Sequence, residues 1–310
     1  MITIIAPSLD DKRMYTVPRL QPGAVQRSSV VFRHASGKGV NAARAAVAIG
    51  ARVTLCAPAG EAMRRLVEEQ LADTGFRLQL IDTVQPTRSC ITILEEDGRA
   101  TELVQEALPL SVAEASAFHD AAMDCIGEAE TVLLAGSLPP GLADDFYLRC
   151  AQQARAHQAR VIIDAQRLPL LRPLDVAECL VKINREELGN NLRRMLAPEE
   201  AADGARQLAQ RYGATVIVTD GAAPVCVSHE GKAVTRIVPP QVVTVNPVGS
   251  GDSMSGVLSV GLHRGLPFEQ ALREAVAAGA ANAATLLPGD VEPVLMQALR
   301  EKLSVQAGGA

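Results

Sequence analysis

Late in the chain, Asn246-Pro-Val-Gly249-Ser-Gly251-Asp252-Ser-Met-Ser-Gly256 sets a carboxylate among glycines. The apolar stretch Gln241–Val245 reads as an extended approach broken at Pro247, and Val257, Leu258, Val260 and Leu262 keep a helical pattern afterwards. A strand, a glycine-spaced turn and a helix N-terminus together make an anion site. Small residues let backbone N–H groups converge where the helix dipole is positive. A pure phosphate cradle would exclude Asp252, whose charge repels the ligand. A carboxylate beside both a phosphate and a substrate hydroxyl can instead take the hydroxyl proton during phosphoryl transfer. The same aspartate could serve as a cap on the first helical turn. The spacing is not that of a Walker loop, since no Gly-Lys-Ser/Thr follows. Nor is it a dinucleotide fingerprint, which belongs in the first strand–helix unit.

Other segments carry weaker versions of the same chemistry. Ser36-Gly37-Lys38-Gly39-Val40-Asn41 opens a small-residue helix, Ala42–Ile49, ended by Gly50. Glycines, a lysine and an asparagine at a helix start can hold a polar or anionic ligand, or form a plain turn with a solvated lysine. Gly136-Ser137-Leu-Pro-Pro-Gly141 follows a buried strand, where ligand sites of α/β sheets gather; it could equally be a turn. In Lys182-Ile-Asn184-Arg-Glu-Glu187, Asn184 and Glu187 have the spacing of a capping box. They could also lie near a hydrated Mg²⁺ and phosphates. Asp10 follows the first strand and Arg88 opens a hairpin. A carboxylate can hold sugar hydroxyls and an arginine can fork onto a phosphate, though each is otherwise an ordinary surface charge.

The elements that must position these residues follow one pattern. Short β-branched runs at Ile2–Ala6, Arg52–Ala57, Thr131–Ala135, Arg160–Asp164, Leu180–Ile183 and Thr215–Thr219 alternate with helices. Several runs are apolar throughout, as in parallel strands buried on both faces. Met63, Leu66, Val67 and Leu71 share a helical face, Ser111 and Glu114 form a capping box, and Ala201–Tyr212 and Val291–Leu303 read as further helices. The expected fold class is therefore α/β, a doubly wound and mostly parallel sheet. Two stretches break the pattern, about 11–34 and 87–104. The second is a hairpin, Ile91–Glu95 and Thr101–Val104, around Asp97-Gly98. Both are expected to form one small β-sheet lid inserted in a single domain spanning 1–310, above the carboxyl ends of the parallel strands.

Composition removes several classes. The 310 residues are 48% hydrophobic and 21% charged, which suits a soluble globular protein with a sizeable core. Aromatic content of 3%, no Trp and a net charge of -5 argue against nucleic-acid or anionic-membrane binding. Six cysteines without a C-x-x-C pair, no leader pattern and no long apolar run place the expected location in the cytoplasm, with reduced thiols. The five histidines share no metal-ligand spacing.

Taken together and in order, these motifs resemble the ribokinase/phosphofructokinase-B family of carbohydrate kinases over essentially the full chain. Asn246-Pro-Val-Gly-Ser-Gly-Asp252-Ser is similar to that family's C-terminal signature, in which the aspartate is the catalytic base and Gly249, Ser250 and Gly251 supply the anion hole. Ser36-Gly-Lys-Gly-Val-Asn41 resembles its N-terminal glycine signature, and Asn184-x-x-Glu187 its metal and phosphate motif. Ala6-Pro-Ser-Leu-Asp10, Thr87-Arg88 and Gly136–Gly141 resemble the phosphofructokinase and tagatose-phosphate kinase branch most. The resemblance implies a ribokinase-like fold, ATP and Mg²⁺ as cofactors, and a ketohexose monophosphate as acceptor. It places Asp10, Gly37, Lys38, Gly39, Asn41, Arg88 and Ser137 on the substrate, with Arg88 on its phosphate. Lys182, Asn184, Thr219, Gly221, Gly249, Gly251 and Asn282 fall on the nucleotide side, and Asn184 and Glu187 on the metal through water. It also implies a homodimer joined through the lid. Two departures touch the substrate side: Ser36-Gly37 stands where the family has Gly-Gly, and Gly60 runs straight into Glu61-Ala-Met without a second glycine loop. The competing readings are a same-fold kinase of an unphosphorylated sugar or nucleoside, a non-catalytic sugar-phosphate sensor and, disfavoured by the missing early fingerprint, a dehydrogenase.

Overall fold

The computed structural model describes residues 1–307 apart from 29, 73–74, 166–167, 175–178, 230 and 232–233. In chain order the strands are β1 (Ile2–Ile5), β2 (Asp10–Val17), β3 (Val31–Ser36), β4 (Val53–Gly60), β5 (Phe76–Thr83), β6 (Ser89–Glu95) and β7 (Ala100–Val104). Then come β8 (Thr131–Ala135), β9 (Arg160–Asp164), β10 (Cys179–Asn184), β11 (Thr215–Thr219), β12 (Val225–His229), β13 (Thr235–Val238) and β14 (Ser304–Ala307). The helices are α1 (Lys38–Ala48), α2 (Glu61–Leu71), α3 (Val112–Gly127), α4 (Phe146–Ala156), α5 (Leu168–Leu174), α6 (Arg185–Leu192), α7 (Ala201–Tyr212), α8 (Ser250–His263), α9 (Phe268–Ala283) and α10 (Pro293–Arg300).

Ten strands form one sheet in the order β14-β13-β12-β11-β10-β9-β8-β1-β4-β5. Pairing is parallel from β11 to β5 and antiparallel from β11 out to β14. All six expected strands are present. The expectation missed β5 and the antiparallel edge β12–β14, whose alternating or mixed composition carries a weaker signal than a buried apolar run. One expectation is corrected: Gln241–Val245 forms no strand, and the chain reaches Asn246 as an irregular segment with Val243 exposed. Without cross-strand partners, an apolar alternation alone does not make a strand.

Alternation along the central strands explains the double winding. Ile4, Leu55, Leu133, Ile162 and Ile217 belong to one apolar layer, shared with α1, α8 and α9. Their neighbours Ile5, Cys56, Leu134, Ile163 and Val218 belong to the other, shared with α3, α4 and α7. Successive side chains point to opposite faces, so both faces need a helical cover. In the first layer α1 and α8 pack backbone to backbone: a Cβ on Gly256 would lie 2.0 Å from the Ala42 carbonyl oxygen. That close crossing is what lets the start of α1 reach the start of α8.

The two anomalous stretches form a separate four-stranded sheet, β3-β2-β6-β7. β2 pairs antiparallel with β3 and parallel with β6, and β6–β7 is the expected hairpin, with Gly98 at φ 82° in its turn. Met14, Cys90, Thr92 and Leu94 are buried, while Val31, Leu103 and Val104 are about half exposed. Among the described residues no helix is long and apolar enough to cross a membrane, and the six cysteines are buried thiols.

Candidate active site

The candidate residues converge at the carboxyl ends of the parallel strands, where β1 sits between β4 and β8 and the winding reverses. Such a reversal splays the flanking connections apart and leaves a crevice. The segment after β1 ends at Asp10, which pairs with Arg88: Nε donates to Oδ1 at 2.5 Å. Gly37 and Gly39 lie directly against this segment. A Cβ on Gly39 would come within 2.4 Å of Ala6 Cβ, and Gly37 has φ 108° with the Ser8 carbonyl 3.0 Å from where a side chain would start. Only glycine permits both the backbone conformation at 37 and the contact at 39.

At the head of α8, Gly249 is the N-cap residue, with φ 84° and no side-chain cap hydrogen bond. Asp252 therefore lies in the first turn without capping it. Its Oδ2 instead accepts from Asn41 Nδ2 at 2.8 Å, and Asn41 Oδ1 accepts from Ser36 Oγ at 3.0 Å. Ser36, the departure from the expected double glycine, thus orients the asparagine that holds the aspartate. A Cβ on Gly251 would stand 2.9 Å from Lys182 Nζ, so an ammonium lies over the amides of this turn. A helix N-terminus and a lysine facing one point favour an anion there.

Between these halves runs a buried charge network that sequence inspection missed at its centre. Asp164, fully buried, accepts from Lys38 Nζ at 2.7 Å, Lys182 Nζ at 2.6 Å and Ser255 Oγ at 2.7 Å. Lys38 also donates to Glu187 Oε1 at 2.7 Å. Burial opposes charge on Asp164, but Lys182 and Lys38 outweigh it and hold its carboxyl well below the usual carboxylate range. Burial likewise opposes charge on Lys38, and Asp164 and Glu187 outweigh it, keeping the ammonium well above its ordinary value. Asp252 has no such surplus. Burial, followed by the negative Asp164, pushes it up to about 6 against the pull of Lys38 and Lys182. A partly buried carboxylate with a raised pKa next to an anion site suits a general base. The signal for Asp164 was available: a charged residue follows the apolar run Val161–Ile163 at the carboxyl end of the strand.

The remaining candidates divide. Asn184 and Glu187 form a complete capping box: Glu187 N donates to Asn184 Oδ1 at 2.8 Å and Asn184 N to Glu187 Oε2 at 3.0 Å. Thr219 pairs in register with Asn184 across β10–β11, and Gly221 follows in the next turn, exposed, with φ 55°. Ser137 is exposed beyond β8. Asn282, expected toward the nucleotide, is buried instead and spends its amide inside the protein. It accepts from Gly289 N and Ser253 Oγ and donates to the Val248 carbonyl and Ser250 Oγ, so it shapes the α8 turn. Among the described residues no group of three or more His, Cys, Asp or Glu could hold a metal. A hydrated Mg²⁺ needs no such cage, because one or two carboxylates and the phosphates of a nucleotide suffice; Glu187 and Asn184 fit that arrangement.

An open α/β sheet thus sets a helix N-terminal turn suited to an anion beside a carboxylate suited to take a proton. Residues 6–293 match the pfkB family carbohydrate kinase, and the chain belongs to that family. It is similar to a 1-phosphofructokinase of Vibrio cholerae, 28% identical, with 94% of this chain and 92% of the relative covered. A tagatose-6-phosphate kinase of Staphylococcus epidermidis is also 28% identical, with 89% of each chain covered. The fold matches the tetrameric inhibited form of phosphofructokinase-2 from Escherichia coli with a TM-score of 0.84, at 24% identity and covering 97% of this chain and 98% of that one.

Proposed function

We propose that this enzyme transfers the γ-phosphoryl group of ATP to a hydroxyl of a ketohexose monophosphate: fructose 1-phosphate, fructose 6-phosphate or tagatose 6-phosphate. The observation that carries the reading is Asp252, held by Asn41 from one side and raised to about 6, in the first turn of a helix whose amides face Lys182. Asn41 occupies Oδ2, which leaves Oδ1 to take the acceptor proton. The amides of Gly249, Ser250 and Gly251 then meet charge developing on the transferred group, an effect of roughly 3–4 kcal/mol for a well-placed donor. Lys182 adds a fixed cation at the same turn. Glu187 and Asn184 would hold a bound Mg²⁺ through water, and the ion would supply charge neutralisation at the phosphates. Asp10 holds sugar hydroxyls, Arg88 meets the acceptor's phosphate, and the lid sheet excludes water that would otherwise accept the phosphoryl group.

Names of the relatives support a phosphorylated hexose as acceptor. One observation favours a neutral sugar or nucleoside instead: Arg88 and Lys38 are both already paired with carboxylates. Incubating the enzyme with ATP, Mg²⁺ and each of the three sugar phosphates, with free fructose and a nucleoside alongside, and following ADP release decides between them. ADP release that no acceptor stimulates defeats the kinase reading; stimulation by the free sugar or nucleoside alone defeats only the sugar-phosphate assignment.

The assembly we infer is a homodimer in the cytoplasm, joined lid to lid. The half-exposed Val31, Leu103 and Val104 on the lid strands support it, since a two-sided sheet with unpaired edges needs cover.

A further inference from the structure

Lys38 bridges two carboxylates of the crevice. Lys38 Nζ donates to Asp164 Oδ1 and to Glu187 Oε1, each at 2.7 Å. Glu187 is divided between two jobs. Its Oε2 accepts the Asn184 amide and closes the cap of α6, so Oε1 is the oxygen a cation can reach without opening that helix. Asp164 offers no substitute, because it is fully buried and its Oδ2 already accepts from Lys182 and Ser255. The glycines on either side fix where Lys38 stands: Gly37 and Gly39 are pressed against the segment that carries Asp10. Released from Glu187, the ammonium stays hydrogen-bonded to Asp164 and remains beside the acceptor side of the crevice.

We infer that Glu187 couples the two ligands: taking up the hydrated metal–nucleotide, whose bound water donates to Oε1, detaches Lys38, which then turns its freed N–H donors to the anionic acceptor. No covalent bond changes; one ion pair is exchanged for another. The inference rests on the kinase reading and adds to it a reciprocal effect, since a nucleotide that tightens the acceptor must be tightened by it to the same degree. In the nucleotide-free enzyme Lys38 is neutralised by two carboxylates and attracts the acceptor weakly.

Calorimetry on the whole protein tests this without turnover. The acceptor Kd is measured for each of the three sugar phosphates, alone, with a non-hydrolysable ATP analogue, and with the analogue plus Mg²⁺. In the wild type the Mg²⁺–analogue is expected to lower the acceptor Kd by about tenfold, within the usual range of coupling between sites, and the metal-free analogue to change it little. Glu187→Gln keeps an oxygen for the Asn184 amide but loses its hold on either cation. In that variant the acceptor binds more tightly without nucleotide, and the Mg²⁺–analogue shifts its Kd by less than about twofold. Should Glu187→Gln not fold, Lys38→Gln must likewise abolish the shift. Both ligands binding with no shift in the wild type, or a full shift surviving in either variant, overturns the coupling alone. Failure of the nucleotide and of all three sugar phosphates to bind overturns the kinase reading and the coupling with it.

Discussion

Replacing Asp252 by Asn separates a catalytic carboxylate from a structural one, because only the catalytic role costs turnover when the charge is removed. Asparagine caps a helix as well as aspartate does, so a pure cap would survive the change. A general base would not: losing one costs on the order of 10²–10⁴ in turnover, or about 3–5 kcal/mol at 1.36 kcal/mol per decade. The stability term follows from the shift of Asp252 from 3.8 to about 6 on folding. A carboxyl raised in the folded state binds its proton more tightly there than in the unfolded chain. Its stabilising contribution is complete below pH 3.8 and is lost as pH rises through about 6. At pH 8 the wild type therefore carries a penalty of at most about 3 kcal/mol, shared with the neighbouring Asp164, that Asn does not. The assays are ADP release at saturating substrate and thermal melting at pH 5 and pH 8. The expected result is a near-dead enzyme whose melting temperature at pH 8 equals or exceeds that of the wild type. The wild-type kcat/KM should fall about tenfold per unit well below pH 6 and level off above it. Turnover of Asp252→Asn within a few-fold of wild type, or a flat pH profile between 5 and 7, would refute the assignment of the base.

Asn184→Ala removes the acceptor for the Glu187 amide, so about 1 kcal/mol of stability should go; the Mg²⁺ concentration for half-maximal activity should rise as well, and a melting shift with unchanged Mg²⁺ dependence leaves only the cap. Arg88→Ala should raise KM for the sugar phosphate by an amount worth roughly 1.5–3 kcal/mol while sparing ATP, with Arg88→Lys a partial rescue because a point charge replaces a fork. An untouched sugar KM would remove Arg88 from phosphate recognition, leaving its ion pair with Asp10 as its role. Light scattering at micromolar protein should give twice the 32.7 kDa chain mass, and a value near the single chain would exclude the lid dimer.

Much of this molecule was legible because it is local. Thr131–Ala135, Arg160–Asp164, Thr215–Thr219 and Ala201–Tyr212 form over the very residues their patterns marked, since apolar period and end signals act within one element. The capping boxes at Ser111–Glu114 and Asn184–Glu187 closed for the same reason. The glycine turn before Asp252 also announced itself, because a left-handed φ at Gly249, with Pro288 against it, demands that residue type in sequence. Long-range geometry announced nothing. Asn41 meets Asp252 across 211 positions because α1 and α8 cross with no room for a side chain at Gly256, and Lys38 meets Glu187, on α6, across 149. Asp164 read as the polar end of an apolar strand until the sheet order put Lys38, Lys182 and Ser255 around it. The fate of Gln241–Val245 was settled the same way, since a strand exists only where another backbone lies alongside to receive its hydrogen bonds. Propensity and capping are written in neighbouring residues, whereas the partner of a buried charge is chosen by topology, because an unpaired charge inside the fold costs more than any local preference can repay.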